Sequence, residues 1–343
     1  MRKIRKVNKN SLLKKMFIKI CRFLNYEIID QNNFYLPVTE QCLDEDLSIV
    51  GKRSLTVPMG NVEITRKVKS LTIILRTCAN VHLLTQSKRR IFDKEKSEYT
   101  LRTLNSIIKS VNFSKNIFKD INLEIIIIDH NSDQKTIDKM KLLISKQFFK
   151  SQIIPLNMDN FINNINPINE KKEKVTFNQM SNMTNIHQSL LLSKKCDDLV
   201  YFVEDDYIHS IESIKEMILT YEKLSSILKK ELILCPTDYP YLYTKTVNSK
   251  IFLGDKKHWR TVNETLCTFL TSRIIIEKYW EKLDKWCKFE HYPFEKPLNE
   301  IYETEYCLSP IPSLAMHCTN INSSFGLSPN YNWKKIWDEN EIR

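Results

Sequence analysis

The chain has 343 residues, 42% hydrophobic and 27% charged, enough for one large α/β domain with appendages or two small ones. Only four residues are glycine, and neither a G-x-G-x-x-G run nor a Walker lysine loop is present, so a bound nucleotide has to be gripped by carboxylates, a metal and side-chain donors. The formal net charge of +11 is concentrated at the N-terminus, and the remainder is close to neutral.

Residues 1–25 carry nine Lys/Arg and no acidic side chain. Leu12, Leu13, Met16, Phe17, Ile20, Phe23 and Leu24 recur at helical spacing opposite the lysines. Such a basic amphipathic helix either lies in an anionic membrane interface or docks on the body with its basic face in solvent. Lysines interrupt the apolar run before ~20 residues, so it does not span a membrane. The rest of the chain lacks a basic stripe interleaved with aromatics, which argues against a nucleic-acid partner. Nine scattered cysteines form no C-x-x-C pair and are expected as reduced thiols of a cytoplasmic protein, not a disulfide or zinc framework.

Residues 26–68 have no clear period and complete an N-terminal arm, 1–68. From there the pattern sharpens. The run 70–75 is short, apolar and β-branched, as for a strand buried on both faces, and ends at Arg76-Thr77. A helix is predicted over 99–111. A second buried strand, 123–128, ends in Asp129-His-Asn-Ser-Asp133. A helix over 136–149, a short strand over 152–156, a polar Asn/Lys-rich loop (159–176) and a helix over 178–192 follow. Strand 199–203 runs straight into Glu204-Asp205-Asp206, then come a helix over 211–228 and a strand over 232–235. This alternation predicts βαβ units and a mainly parallel sheet. Ligands bind beyond the carboxyl ends of such strands, where the polar clusters at 76–77, 129–133 and 204–206 all lie. Residues 69–235 are expected to form a nucleotide-binding half. Residues 236–343, less regular and richer in aromatics and proline, are expected to form the acceptor half of the same domain.

Three adjacent carboxylates repel one another unless a cation offsets them, and a hard ion such as Mn²⁺ or Mg²⁺ matches oxygen ligands. A solvated acidic helix start is the plainer alternative. The order and spacing of these motifs resemble the GT-A class of nucleotide-sugar glycosyltransferases over about residues 70–320. Residues 71–77 look like that class's first strand, and Asp129-His-Asn131-Ser132 stands where Asp-Asp-Gly-Ser follows the second. Asn185 lies on the helix preceding the D-x-D strand, represented here by Glu204-Asp205-Asp206. The departure is His130-Asn131 in place of Asp-Gly.

The resemblance implies a Rossmann-like, mostly parallel sheet flanked by helices. It implies a nucleotide-diphosphate sugar donor contacted by Arg76, Thr77, Asp129, Asn131, Ser132 and Asn185, with Glu204 and Asp205 holding ribose or a metal-bound water. It further implies metal ligation by Asp206, joined by His317, and an acid from the segment around 299–306, Glu303 or else Glu300, as the base of an inverting transfer. A packed or surface histidine and an exposed acidic helix face are the respective alternatives. Trp259, Arg260 and Thr268 suit a saccharide acceptor, or a packed loop. The rival functions are another metal-dependent phosphate-chemistry enzyme, such as a nucleotidyltransferase, and a non-catalytic membrane-surface scaffold.

Overall fold

The computed structural model describes residues 12–24, 26, 63–80, 91–244, 249–318, 327–328 and 331–342. Its contacts separate two units, Met1–Val62 and Glu63–Arg343. In the first, helix α1 spans Leu12–Phe23, with Leu13, Met16, Phe17, Ile20 and Phe23 exposed. Among the described residues, no helix is long and apolar enough to cross a membrane.

The second unit begins ahead of strand β1 (Ser70–Thr77) and continues through α2 (Lys96–Phe113), β2 (Asn122–Asp129), α3 (Gln134–Ser145), β3 (Lys150–Pro155), α4 (Phe177–Ser193), β4 (Leu199–Glu204), β5 (Tyr207–His209) and α5 (Ser213–Leu228). Then come β6 (Ile233–Leu234), β7 (Ile251–Leu253), β8 (His258–Val262), β9 (Phe269–Ser272), α6 (Arg273–Lys278), α7 (Trp280–Lys288), α8 (Lys296–Asn299), β10 (Cys307–Ile311), β11 (Ala315–His317) and α9 (Trp333–Glu339). The main sheet has nine strands in the order β3-β2-β1-β4-β9-β6-β10-β8-β7, and β5 pairs with β11 separately. Strands β1 to β4 are mutually parallel, and β9 and β8 run against their neighbours. This is the mostly parallel, helix-flanked α/β layout expected for the GT-A resemblance.

Alternation along the strands divides the core. Leu71, Ile73, Leu75, Ile125, Ile127, Tyr201 and Val203 face one layer with Leu104 and Ile107 of α2 and Ile214 and Met217 of α5. Ile74, Ile126, Ile128, Val200 and Phe202 face the other, with Ile186 and Leu190 of α4, Ile275 of α6 and Leu283 and Trp286 of α7. Burial on both faces explains why these strands carry few polar side chains before their ends. Helix α4 starts at a capping box, in which Thr176 and Gln179 each satisfy the other's backbone. Helix α3 starts at Asp133, whose side chain accepts from the Thr136 N–H.

Candidate active site

The parallel register assembles the strand ends. It sets Thr77 opposite Asp129 and Arg76 opposite Glu204, so residues far apart in sequence meet at one edge. Thr77 Oγ1 donates to Asp129 Oδ1 at 2.6 Å, and Ser132 Oγ donates to the same oxygen at 2.5 Å. The Ser132 N–H donates to Asp129 Oδ2 at 3.2 Å. Ser132 Oγ also accepts from Ala79 N at 2.9 Å, which stitches the β1 and β2 ends together. Most of the roughly four acceptor positions of Asp129 are thereby used internally. Asn131 sits at φ 62°, in the left-handed region that glycine favours and asparagine tolerates better than most residues. The replacement of glycine in the Asp-His-Asn-Ser turn therefore preserves its backbone shape.

The three acids of the triplet have different surroundings. Asp205 is buried and accepts from the Cys78 N–H at 3.1 Å, from Thr100 Oγ1 at 2.8 Å and from the Lys96 ammonium. Its carboxylate ties the β4 end to β1 and to the first turn of α2. These three internal donors take most of the roughly four acceptor positions of the carboxylate expected to hold ribose or a metal-bound water.

Glu204 faces Arg76, with 3.4 Å between Oε1 and Nη2, and its backbone N–H donates to Thr268 Oγ1 at 3.1 Å. Burial pushes its carboxyl above the ordinary range against the pull of Arg76, and the charge of Asp206 adds to the rise. Asp206 Oδ2 lies 3.6 Å from His317 Nε2. The His317 ring is stacked on Tyr207 at 4.5 Å between centroids, which fixes its plane. An oxygen and an imidazole nitrogen at this spacing suit two neighbouring ligands of a divalent ion.

Helix α4 closes one side. Asn182 Oδ1 accepts from Arg76 Nη1 at 3.0 Å, and Ser181 Oγ lies 2.6 Å from His130 Nδ1. Asn185 Nδ2 donates to the Ile128 carbonyl at 3.2 Å, while its buried Oδ1 has no hydrogen-bond partner among the described residues.

The acidic residue missing from the sequence reading is Glu295. Cys267 Sγ donates to Glu295 Oε1 at 3.5 Å, and Cys267 precedes Thr268, the partner of the Glu204 backbone. Burial, with Glu204 nearby, pushes the Glu295 carboxyl up to about 7. The Cys267 thiol is itself pushed well above its ordinary value by burial, Glu204 and Glu295, so it remains a donor. Glu295 lies just ahead of the 299–306 segment expected to supply the base. Its apolar flanks, Phe294 and Pro297-Leu298, were the available sign of burial.

Glu300 instead pairs with Lys282 at 3.4 Å, both side chains being nearly half exposed, and Glu303 is exposed. Neither meets the carboxylates above in any described contact.

The expected acceptor residues separate. Trp259 is fully buried in the core, and its Nε1–H donates to Glu216 Oε1 at 3.1 Å, so it offers no face to a sugar. Gly254 lies against this indole and Thr220, leaving no room for a Cβ. Arg260 is held by Asp238, with 2.5 Å from Nη2 to Oδ1, and stacks over Tyr243 at 4.4 Å. Thr268 lies under the backbone of Glu204. The Trp-Arg signal thus reports loop packing and a buried ion pair.

No family model and no curated protein matches the sequence. Among solved structures, the galactosyltransferase LgtC in complex with donor and acceptor sugar analogs aligns at 10% identity and TM-score 0.30 over 68% of this chain and 65% of its own. UDP-glucose pyrophosphorylase complexed with UDP-glucose aligns at 7% identity and TM-score 0.36 over 80% and 97%. Mouse xyloside xylosyltransferase 1 aligns at 11% identity and TM-score 0.36 over 68% and 76%. Overlays this loose assign no residue and no activity; the strand order and site geometry stand on their own.

Proposed function

We propose that the chain is a glycosyltransferase that moves a sugar from a nucleotide-diphosphate donor to a saccharide acceptor with inversion, in the synthesis of a cell-surface glycan. The observation that carries this reading is the register-matched cluster at the carboxyl edge of the sheet, where Arg76, Thr77, Asp129 and Glu204 converge. Arg76, Asn182 and the open carbonyl of Asn185 supply polar contacts for the nucleotide. Asp206 and His317 are the residues to hold Mn²⁺ or Mg²⁺, which when bound offsets charge on the leaving diphosphate.

Glu295 replaces Glu303 as the proposed base. Its carboxylate takes the acceptor hydroxyl proton as that oxygen bonds to the anomeric carbon, and the bond from that carbon to the diphosphate breaks with the electron pair leaving on phosphate oxygen. A carboxyl near 7 suits this task at neutral pH.

Incubating the full chain with a panel of nucleotide sugars and Mn²⁺ tests the reading. Release of nucleoside diphosphate, reduced about 10²–10³-fold in Asp206→Ala, is expected. Unchanged turnover in that variant would remove the metal role, pyrophosphate as product would indicate a nucleotidyltransferase, and no binding by calorimetry would favour a scaffold.

The exposed apolar side chains of α1, within a segment of nine Lys/Arg and no acid, support peripheral contact with the anionic inner face of a membrane by a cytoplasmic protein. The expected result is sedimentation with phosphatidylserine vesicles that falls with salt and is lost in Phe17→Glu; equal binding to neutral vesicles would refute it.

A further inference from the structure

Two residues beyond Asn185, helix α4 carries His187, which is buried and meets α7. His187 Nδ1 lies 3.4 Å from Cys287 Sγ and 3.9 Å from Asp284 Oδ1. One ligand atom from each of the three side chains falls within 4.8 Å of the others. Around a tetrahedral zinc ion with bonds of about 2.0–2.3 Å, neighbouring ligand atoms are roughly 3.3–3.7 Å apart. The nitrogen–sulfur spacing already fits, and the nitrogen–oxygen spacing needs only a small side-chain adjustment.

The chemistry fits as well. Imidazole nitrogen, thiolate sulfur and carboxylate oxygen form a donor set typical of zinc, and the sulfur disfavours magnesium or calcium. Asp284 divides its two oxygens. Oδ2 accepts from Lys288 Nζ at 2.7 Å, which orients the carboxylate and leaves Oδ1 as the atom nearer His187. Asp284 and Cys287 are one turn apart on α7, so both project toward the same neighbour. The Cys287 thiol donates to the Asp284 carbonyl at 3.2 Å, and that proton is the one a metal ion displaces.

We propose that His187, Asp284 and Cys287 form a zinc site that ties α4 to α7, with water as a fourth ligand. Binding forms a zinc–thiolate bond, breaks the S–H bond of Cys287 and releases the proton to solvent. Because α4 also carries Ser181, Asn182 and Asn185, the tie steadies the wall of the candidate active site from behind. A site with a single cysteine escapes any search for paired cysteines in the sequence. The proposal is independent of the glycosyltransferase reading, because its test measures metal content.

The full chain, expressed with added zinc and passed through a desalting column, is expected to retain about one zinc per chain by mass spectrometry. Asp206→Ala should retain the same amount, and His187→Gln and Cys287→Ser should lose it. Titration of the metal-free wild type with Co²⁺ should produce thiolate-to-cobalt absorption in the near ultraviolet. Wild-type protein that retains no zinc and gives no such absorption overturns the proposal, even if the variants fail to fold. Zinc lost in Asp206→Ala but kept in Cys287→Ser also overturns it.

Discussion

Asp205 and Glu295 are both carboxylates at the carboxyl edge of one sheet, and the fold treats them in opposite ways. Asp205 is met by an ammonium, a hydroxyl and a backbone N–H, so its charge is built into the scaffold. Glu295 is met by its own backbone N–H and a thiol, but burial and the negative field of Glu204 outweigh them, so its charge is opposed. Acids in a cleft are therefore not interchangeable. One surrounded by donors organises the site, and one whose charge is opposed by burial and a neighbouring acid can accept a proton.

The largest effect should come from the opposed acid. Glu295→Gln is expected to lower kcat about 10²–10⁴-fold with little change in donor KM. In the wild type, activity should rise with pH through an apparent pKa of about 7, because the base works only when deprotonated; the variant should lose that limb. The stability consequence has a definite sign. Between the ordinary 4.5 and about 7 the folded state binds a proton that the unfolded state does not, so stability should fall as pH rises through this window. Chemical denaturation of wild type and Glu295→Gln across that range measures the difference.

Next should come the satisfied acid. Asp205→Ala strands Lys96 and the Cys78 N–H, and is expected to cost roughly 3–5 kcal/mol of stability, read from urea midpoints. A folded variant that merely binds nucleotide less well would erase the distinction between the two acids. The smallest effect is expected from Glu300→Gln and Glu303→Gln, whose steady-state rates should stay within about twofold of wild type, as surface substitutions usually do. A large loss in either would return the base to the exposed part of the segment.

Strands β1, β2 and β4 are legible in the sequence because burial on both faces leaves unbroken runs such as Ile125–Ile128. Strands β7 to β10 are not. They are three to five residues long, include Pro310 and several hydroxyl side chains, and owe their pairing to neighbours. The strand-end cluster is legible for the same reason as its strands. The division of labour inside it is not, since which donors reach Asp205 depends on Lys96 and Thr100, about 105 positions away. Trp259 misleads because an indole beside an arginine looks the same in sequence whether it stacks on a sugar or on the core.

The register that pairs Thr77 with Asp129 and Arg76 with Glu204 has a consequence for quality control in the cell. A slip of one residue between β1 and either neighbour would separate both pairs and turn the side chains to the wrong faces. Under the proposed function, a chain able to hold its donor is thus a chain folded in register, and the donor would select that state. At a hundred times its Kd, a ligand adds about 2.7 kcal/mol to the folded form, so under the proposed function a nucleotide sugar would protect the folded chain from proteolysis.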